Sequence, residues 1–157
     1  MRSLLGSFKY ASKGIIYCIN GERNFRIHLT ATAYVILLSL FFSLSALEYA
    51  ALLITFSLVI GAEMINTAIE ILVNIEVEGY HRLAKSAKDV AAGLVLFCAL
   101  FSVGVGCFIF IPKYEGFFRM IDFFRANPFF ILVGIFVLVL SLCFIFIGPK
   151  EMKKKAS

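Results

Sequence analysis

The chain has 157 residues, 61% of them hydrophobic, with 18 Phe, no Trp and a mean hydropathy of +0.95. That much apolar surface exceeds what a soluble domain of this length can cover, which excludes that class and leaves an integral membrane protein. The net charge of +5 does not point to nucleic acid, because the basic residues flank apolar runs instead of forming a stripe.

The first segment, MRSLLGSFKYASKG, lacks an apolar core and a small-residue cleavage site, so no removable signal peptide is expected. Leu4, Phe8, Ala11 and Ile15 recur at helical spacing, with Arg2, Lys9 and Lys13 on the opposite face. This pattern predicts an amphipathic helix lying on the cytoplasmic membrane surface. Four apolar runs follow, near Leu29–Leu47, Tyr49–Val73, Val90–Ile111 and Phe129–Ile147. Each is long enough to cross a bilayer, which takes roughly 17–25 residues. Only Glu48 and its neighbours separate the first two runs, which predicts a tight helical hairpin. In the third loop Phe117, Phe118, Phe123 and Phe124 are expected to dip into the membrane interface.

The fold class expected is therefore all-α and integral to the membrane. With both termini in the cytoplasm, twelve of the fifteen Lys and Arg residues fall inside, and only Lys113, Arg119 and Arg125 fall outside. That bias sets the orientation. The cysteines Cys18, Cys98, Cys107 and Cys143 have no metal-ligand spacing and read as buried reduced thiols. Gly104 and Gly106 read as close helix packing.

The second apolar run ends in GAEMINTAIEILVN, residues 61–74. At 100° per residue, Glu63, Asn66, Thr67, Glu70 and Asn74 form one narrow polar stripe, and the rest of the helix is lipid-compatible. An ionised carboxylate at the bilayer centre costs about 2.5–3.5 kcal/mol on insertion scales. Two of them on neighbouring turns also repel, so a cation, a partner helix or water must compensate. One reading is helix-to-helix glue, as in a noncatalytic packing subunit, although Asn and Thr would suffice for that. Another is a small proton or ion transporter, against which Leu52 to Ile60 offers only Thr55 and Ser57 toward the outer half. A third is a site in which one carboxylate binds a divalent cation and the other takes a proton.

Two clusters flank the expected cytoplasmic mouth, NGERNFRIH at residues 20–28 and GYHRLAKSAKDVAAG at residues 79–93. A positive-inside excess explains their basic residues but not Glu22 or Asp89. Carboxylates, Lys88 and a basic interface together suit a phosphate-bearing ligand with its magnesium ion. There is no Gly-rich phosphate loop followed by Lys-Ser/Thr, no GxGxxG, no zinc-protease motif and no nucleophile elbow. His28 reads as a membrane-boundary residue and not as a ligand.

The run E-M-I-N-T-A-I-E-I-L-V-N, Glu63 to Asn74, resembles the signature of the small prokaryotic diacylglycerol kinase family. The likeness extends to FKYASKGIIY, to ERNFRIH at residues 22–28 and to YHRLAKSAKDVAAG at residues 80–93, in the family's order and spacing. The wording is more similar to the undecaprenol-phosphorylating branch than to the diacylglycerol-using branch. The resemblance implies a homotrimeric membrane kinase, with sites completed between protomers, that moves the γ-phosphoryl group of MgATP to a lipid alcohol. By position it makes Glu63 the general base and Glu22 and Glu70 the magnesium ligands. Asn66 would orient reacting groups and Lys88 would neutralise phosphate charge. Tyr10, Gly79, Tyr80, His81 and Asp89 would line the nucleotide pocket.

The resemblance divides the chain into a kinase-like membrane unit at residues 1–111 and an addition at residues 112–157. The first holds the surface helix and three spans. The second holds a loop, an extra transmembrane helix and the basic KEMKKK tail. Asn74 stands where the family usually has Asp, which removes one negative charge. The expected location is the cell membrane, multi-pass, with the lipid substrate (undecaprenol, or diacylglycerol) reached from the bilayer and no nucleic-acid partner.

Overall fold

The computed structural model describes residues 4–76 and 81–148. Among them there are six α-helices and no strand: α1 (Leu4–Gly21), α2 (Arg23–Ser39), α3 (Ala46–Glu76), α4 (Arg82–Phe110), α5 (Glu115–Ala126) and α6 (Phe129–Ile147). A 3-10 turn at Ile111–Lys113 joins α4 to α5. α3, α4 and α6 are long and apolar enough to cross a membrane, so the protein is an all-α membrane protein.

α1 has the expected amphipathic form. Leu4, Phe8 and Ile15 stay exposed along one face, as suits a helix whose apolar partner is the bilayer surface. Further along that face Cys18 is buried. The helix ends where Glu22 turns extended at φ −110°, ψ 116°, and α2 begins at Arg23.

The first expected span differs in its bounds. The helix starts earlier, at Arg23, and stops at Ser39. Leu40 to Ser43 form turns, with Ser43 at φ 46°. A capping box explains the stop. Ser45 Oγ accepts the Glu48 backbone N–H at 3.3 Å, while Glu48 Oε2 accepts the Ser45 N–H at 2.6 Å and its hydroxyl at 2.8 Å. This reciprocal arrangement fixes the start of α3 and reverses the chain in a tight hairpin.

The apolar residues of the turn pack onto the protein. Phe42 is 0% exposed and lies edge-on to Phe110 and to Phe117, each at 4.8 Å. Together with Leu52, Ile109 and Phe110 it forms the hydrophobic core of this end of the bundle. α5 lies over that core. Gly116 faces the Phe42 ring so closely that a Cβ there would come within 2.6 Å of it. Of the four loop phenylalanines, Phe117 packs on Phe42, and Phe123 and Phe124 on Phe41, while Phe118 is the most exposed of them.

The most extensive helix pair is α3 with α4, and α2 packs beside α3. α6 docks on α2, running antiparallel to it. Tyr34 and Ser141 share a hydrogen bond of 2.9 Å, and the buried Arg26 guanidinium donates to Ile145 O at 3.1 Å and to Ile19 O at 2.9 Å. No α6 residue is buried, so the rest of that helix is left to lipid. All four cysteines are free thiols, but only Cys18 is buried.

Candidate active site

α3 has 31 residues and at roughly 1.5 Å per residue is about 46 Å long. The hydrocarbon core is about 30 Å thick, so the helix must emerge from it. Taking Glu48 as one interface, Glu63 lies about 22 Å along the axis and Glu70 about 33 Å. The polar stripe therefore begins inside the hydrocarbon and climbs into the opposite headgroup region. Burial follows the same gradient: Glu63 and Thr67 are buried, Asn66 and Glu70 are half-buried, and Asn74 is exposed.

Glu63 is 2% exposed. Its Oε1 lies 3.4 Å from His28 Nε2 on α2, within ion-pair range but without hydrogen-bond geometry, so that oxygen has no hydrogen-bond partner. Thr67 Oγ1 donates to the Glu63 backbone carbonyl at 3.0 Å. From α1, the Cys18 thiol approaches the same turn. Burial pushes it above its ordinary pKa, a hydrogen bond with Thr67 opposes this, and Glu22 and Glu63 add to it. Three helices thus bring Cys18, Glu22, His28, Glu63 and Thr67 into one neighbourhood.

One turn further out, Asn66 Nδ2 donates to Glu70 Oε1 at 3.1 Å, which orients that carboxylate. Asn66 Oδ1 is buried with no partner. Leaving a buried acceptor unsatisfied costs about 1–3 kcal/mol, and here two stand on one stripe, Glu63 Oε1 and Asn66 Oδ1. Beyond them Lys88 Nζ, on α4, donates to Asn74 Oδ1 at 2.7 Å. Because residue 74 is a neutral amide, the lysine keeps its positive charge uncancelled by that contact.

Glu63, Asn66 and Glu70 share one face of α3, with Glu22 close to Cys18 beside the Glu63 turn and Lys88 on Asn74 further along. Tyr10, His81 and Asp89 are exposed and lie outside the buried cluster. His81 stands at the N-cap position of α4 with no side-chain capping bond, and the Tyr10 ring has Lys13 Nζ 5.9 Å from its centroid. Gly79 and Tyr80 fall outside the described residues. Two residues of the cluster were missed by sequence reasoning, Cys18 and His28. The helical spacing from Ile15 to Cys18 placed the thiol on the apolar face of α1. For His28 the signal was its place in ERNFRIH, six residues after Glu22.

Among the described residues no group of three or more His, Cys, Asp or Glu side chains could hold a metal ion. Magnesium does not require one, since it commonly takes one or two carboxylates plus substrate phosphates and keeps several waters. The carboxylate oxygens of Glu22 and Glu70 are the hard donors magnesium prefers, and Asn66 lies within hydrogen-bond reach of Glu70.

Between α2, α3 and α4 runs a cavity of about 260 Å³, lined by apolar residues including Val35, Leu38, Phe56, Val59 and Val103. His28 is part of its lining. The arrangement joins an apolar slot to a buried carboxylate and then to polar groups rising toward the headgroup region.

Comparison with known proteins agrees with this chemistry. The family description "Prokaryotic diacylglycerol kinase" matches residues 9–110. A Synechocystis protein named diacylglycerol kinase is 43% identical over 111 residues, covering 70% of this chain and 63% of that protein. The chain thus spans somewhat under two thirds of that relative's length. An undecaprenol kinase of Bacillus subtilis is 37% identical over 107 residues, covering 68% of this chain and 87% of the relative. No solved structure matches. With the match running from α1 to the end of α4, the chain belongs to the prokaryotic diacylglycerol kinase family.

Proposed function

We propose that the protein is a membrane lipid kinase that transfers the γ-phosphoryl group of MgATP to a lipid alcohol. The single observation carrying this is the buried Glu63 Oε1, without a hydrogen bond and inside the hydrocarbon, with Asn66 and Glu70 above it. A base for a lipid hydroxyl belongs at that depth, and groups for a cytoplasmic nucleotide belong nearer the headgroups. Membership of the family supports the same reading.

In this mechanism Glu63 accepts the proton of the lipid hydroxyl as its oxygen attacks the γ-phosphorus. Such an alcohol ionises far above neutral pH, so the carboxylate acts within the transition state and not by forming free alkoxide. Glu22 and Glu70 would hold magnesium, which when bound supplies charge neutralisation for the phosphates. Asn66 orients Glu70 through its amide, and Lys88 offers a positive charge to the nucleotide. Tyr10, Gly79, Tyr80, His81 and Asp89 contribute the nucleotide pocket. Phosphoryl transfer depends on positioning and electrostatics more than on covalent chemistry, which suits such a set.

The preferred acceptor is undecaprenol, giving undecaprenyl phosphate, with diacylglycerol the alternative. Likeness to the Bacillus subtilis undecaprenol kinase supports the first and likeness to the Synechocystis diacylglycerol kinase the second. The working unit is a homotrimer with shared sites, in the cell membrane with both termini cytoplasmic. The antiparallel docking of α6 on α2, which returns Ile145 to Arg26, supports that orientation. Residues 1–111 form the kinase unit and residues 112–157 an added anchor. The test is purified protein in mixed micelles with labelled ATP, offered undecaprenol and diacylglycerol side by side. A labelled lipid phosphate from undecaprenol, with little from diacylglycerol, is expected; no labelled lipid from either rejects the kinase reading.

A further inference from the structure

We propose that His28 is the positioning partner of Glu63, receiving the proton that Glu63 takes from the lipid hydroxyl and passing it to water. This rests on the kinase reading above and adds to it the path by which the base is reset. The starting observation is geometric. His28 Nε2 stands 3.4 Å from Glu63 Oε1, the carboxylate is 2% exposed, and the imidazole is 23% exposed. Glu63 is thus enclosed by protein while its neighbour has an open side.

A base that accepts a proton in a buried site must lose it before the next turnover. Thr67 cannot help, because its hydroxyl donates to the Glu63 backbone carbonyl. Burial raises the Cys18 thiol above its ordinary pKa, which disfavours the thiolate that could accept a proton. His28 has the right chemistry, since one nitrogen of a neutral imidazole accepts a proton while the other can donate one. It also has the right place, bordering both the buried carboxylate and the apolar cavity between α2, α3 and α4.

The steps balance as follows. The lipid oxygen forms a bond to the γ-phosphorus as the bond from that phosphorus to the ADP oxygen breaks, and the hydroxyl proton moves to the Glu63 carboxylate. The resulting carboxylic acid gives that proton to Nε2 of neutral His28, leaving a carboxylate beside an imidazolium. The imidazolium then releases the proton to water that enters with the nucleotide from the headgroup side of the stripe. The present contact lacks hydrogen-bond geometry, but such contacts commonly tighten once substrate is bound.

The test uses the full chain in mixed micelles, with MgATP and the lipid alcohol that the wild type phosphorylates best. In His28→Ala, kcat should fall roughly 10- to 100-fold, at or below the usual scale of a proton-transfer group. KM for MgATP and for the lipid should each stay within about threefold. Added imidazole should restore much of the lost rate, because the truncated side chain leaves room beside the cavity. His28→Gln can still donate a hydrogen bond to Glu63 but cannot accept its proton, so it should be slow and unresponsive to imidazole.

A His28→Ala protein with wild-type kcat overturns the proposal, as does a slow one that imidazole leaves unchanged. If His28→Ala does not fold, His28→Gln decides. Wild-type kcat there means that the contact is structural only and overturns the proposal; a loss upholds it. An active wild type with an equally active variant rejects the role of His28 alone. A wild type inactive on every lipid alcohol rejects the kinase reading, and this proposal with it.

Discussion

The first turn and the middle of α3 each hold a glutamate beside a basic side chain, yet the two glutamates are in opposite states. Glu48 Oε2 accepts from the Ser45 backbone, the Ser45 hydroxyl and Lys113 Nζ, the last at 2.7 Å. Arg119 and Lys113 also close on Ser43, through its hydroxyl at 2.7 Å and its carbonyl at 3.2 Å. Every local demand is met there, and the aromatic plug of Phe42 locks the hairpin beneath α5. Glu63, on the same helix, is far more buried but has an oxygen with no hydrogen bond, and so does its neighbour Asn66. Burial with full satisfaction makes structure; burial without it leaves groups free to act on a substrate.

The strongest way to break this contrast is to neutralise the unsatisfied site. Glu63→Gln should lower phosphoryl transfer about 10²- to 10⁴-fold, the usual range for loss of a general base. Equilibrium binding of nucleotide should survive, and the unfolding midpoint should not fall. At the satisfied site the same logic reverses. Phe42→Ala empties the centre of the plug and should destabilise by about 3–5 kcal/mol, as for other buried aromatic truncations. Thermal unfolding in detergent measures this, and turnover per folded molecule should hold.

Smaller effects sharpen the comparison. Asn74→Asp gives Lys88 an anionic partner at its present 2.7 Å contact. An exposed ion pair is worth about 0.2–1 kcal/mol, so KM for MgATP should rise by up to about fivefold with kcat little changed. Smallest of all on the chemistry is Glu48→Gln. It removes the charge facing Lys113 and should lower the unfolding midpoint slightly while leaving transfer at the wild-type rate.

Much of this architecture was legible in the sequence. Hydropathy located the helices because a lipid solvent leaves few alternatives to a helix, and periodicity alone placed the polar stripe of α3 on one face. The resemblance supplied the roles proposed for Glu63, Glu22 and Glu70, for which helical spacing gave only proximity along one helix or none. What was hidden depended on contacts between helices. The hairpin between α2 and α3 is cut by Ser45 and Glu48 acting together, and the apolar residues before it read equally well as a continued span. α5 looked like a loop because its apolar face is matched to Phe41 and Phe42 and not to its own neighbours in sequence. His28 read as a boundary residue because its meaning lies in Glu63, on another helix.

The contrast between the two glutamates is tested most directly by single-turnover transfer of labelled phosphate in Glu63→Gln and Glu48→Gln, prepared in the same vesicles with nucleotide pre-bound. The expected result is a burst of labelled lipid from Glu48→Gln that matches the wild type and essentially none from Glu63→Gln. Wild-type transfer by Glu63→Gln would contradict the assignment of the buried carboxylate as the base and remove the central support for the kinase chemistry drawn here.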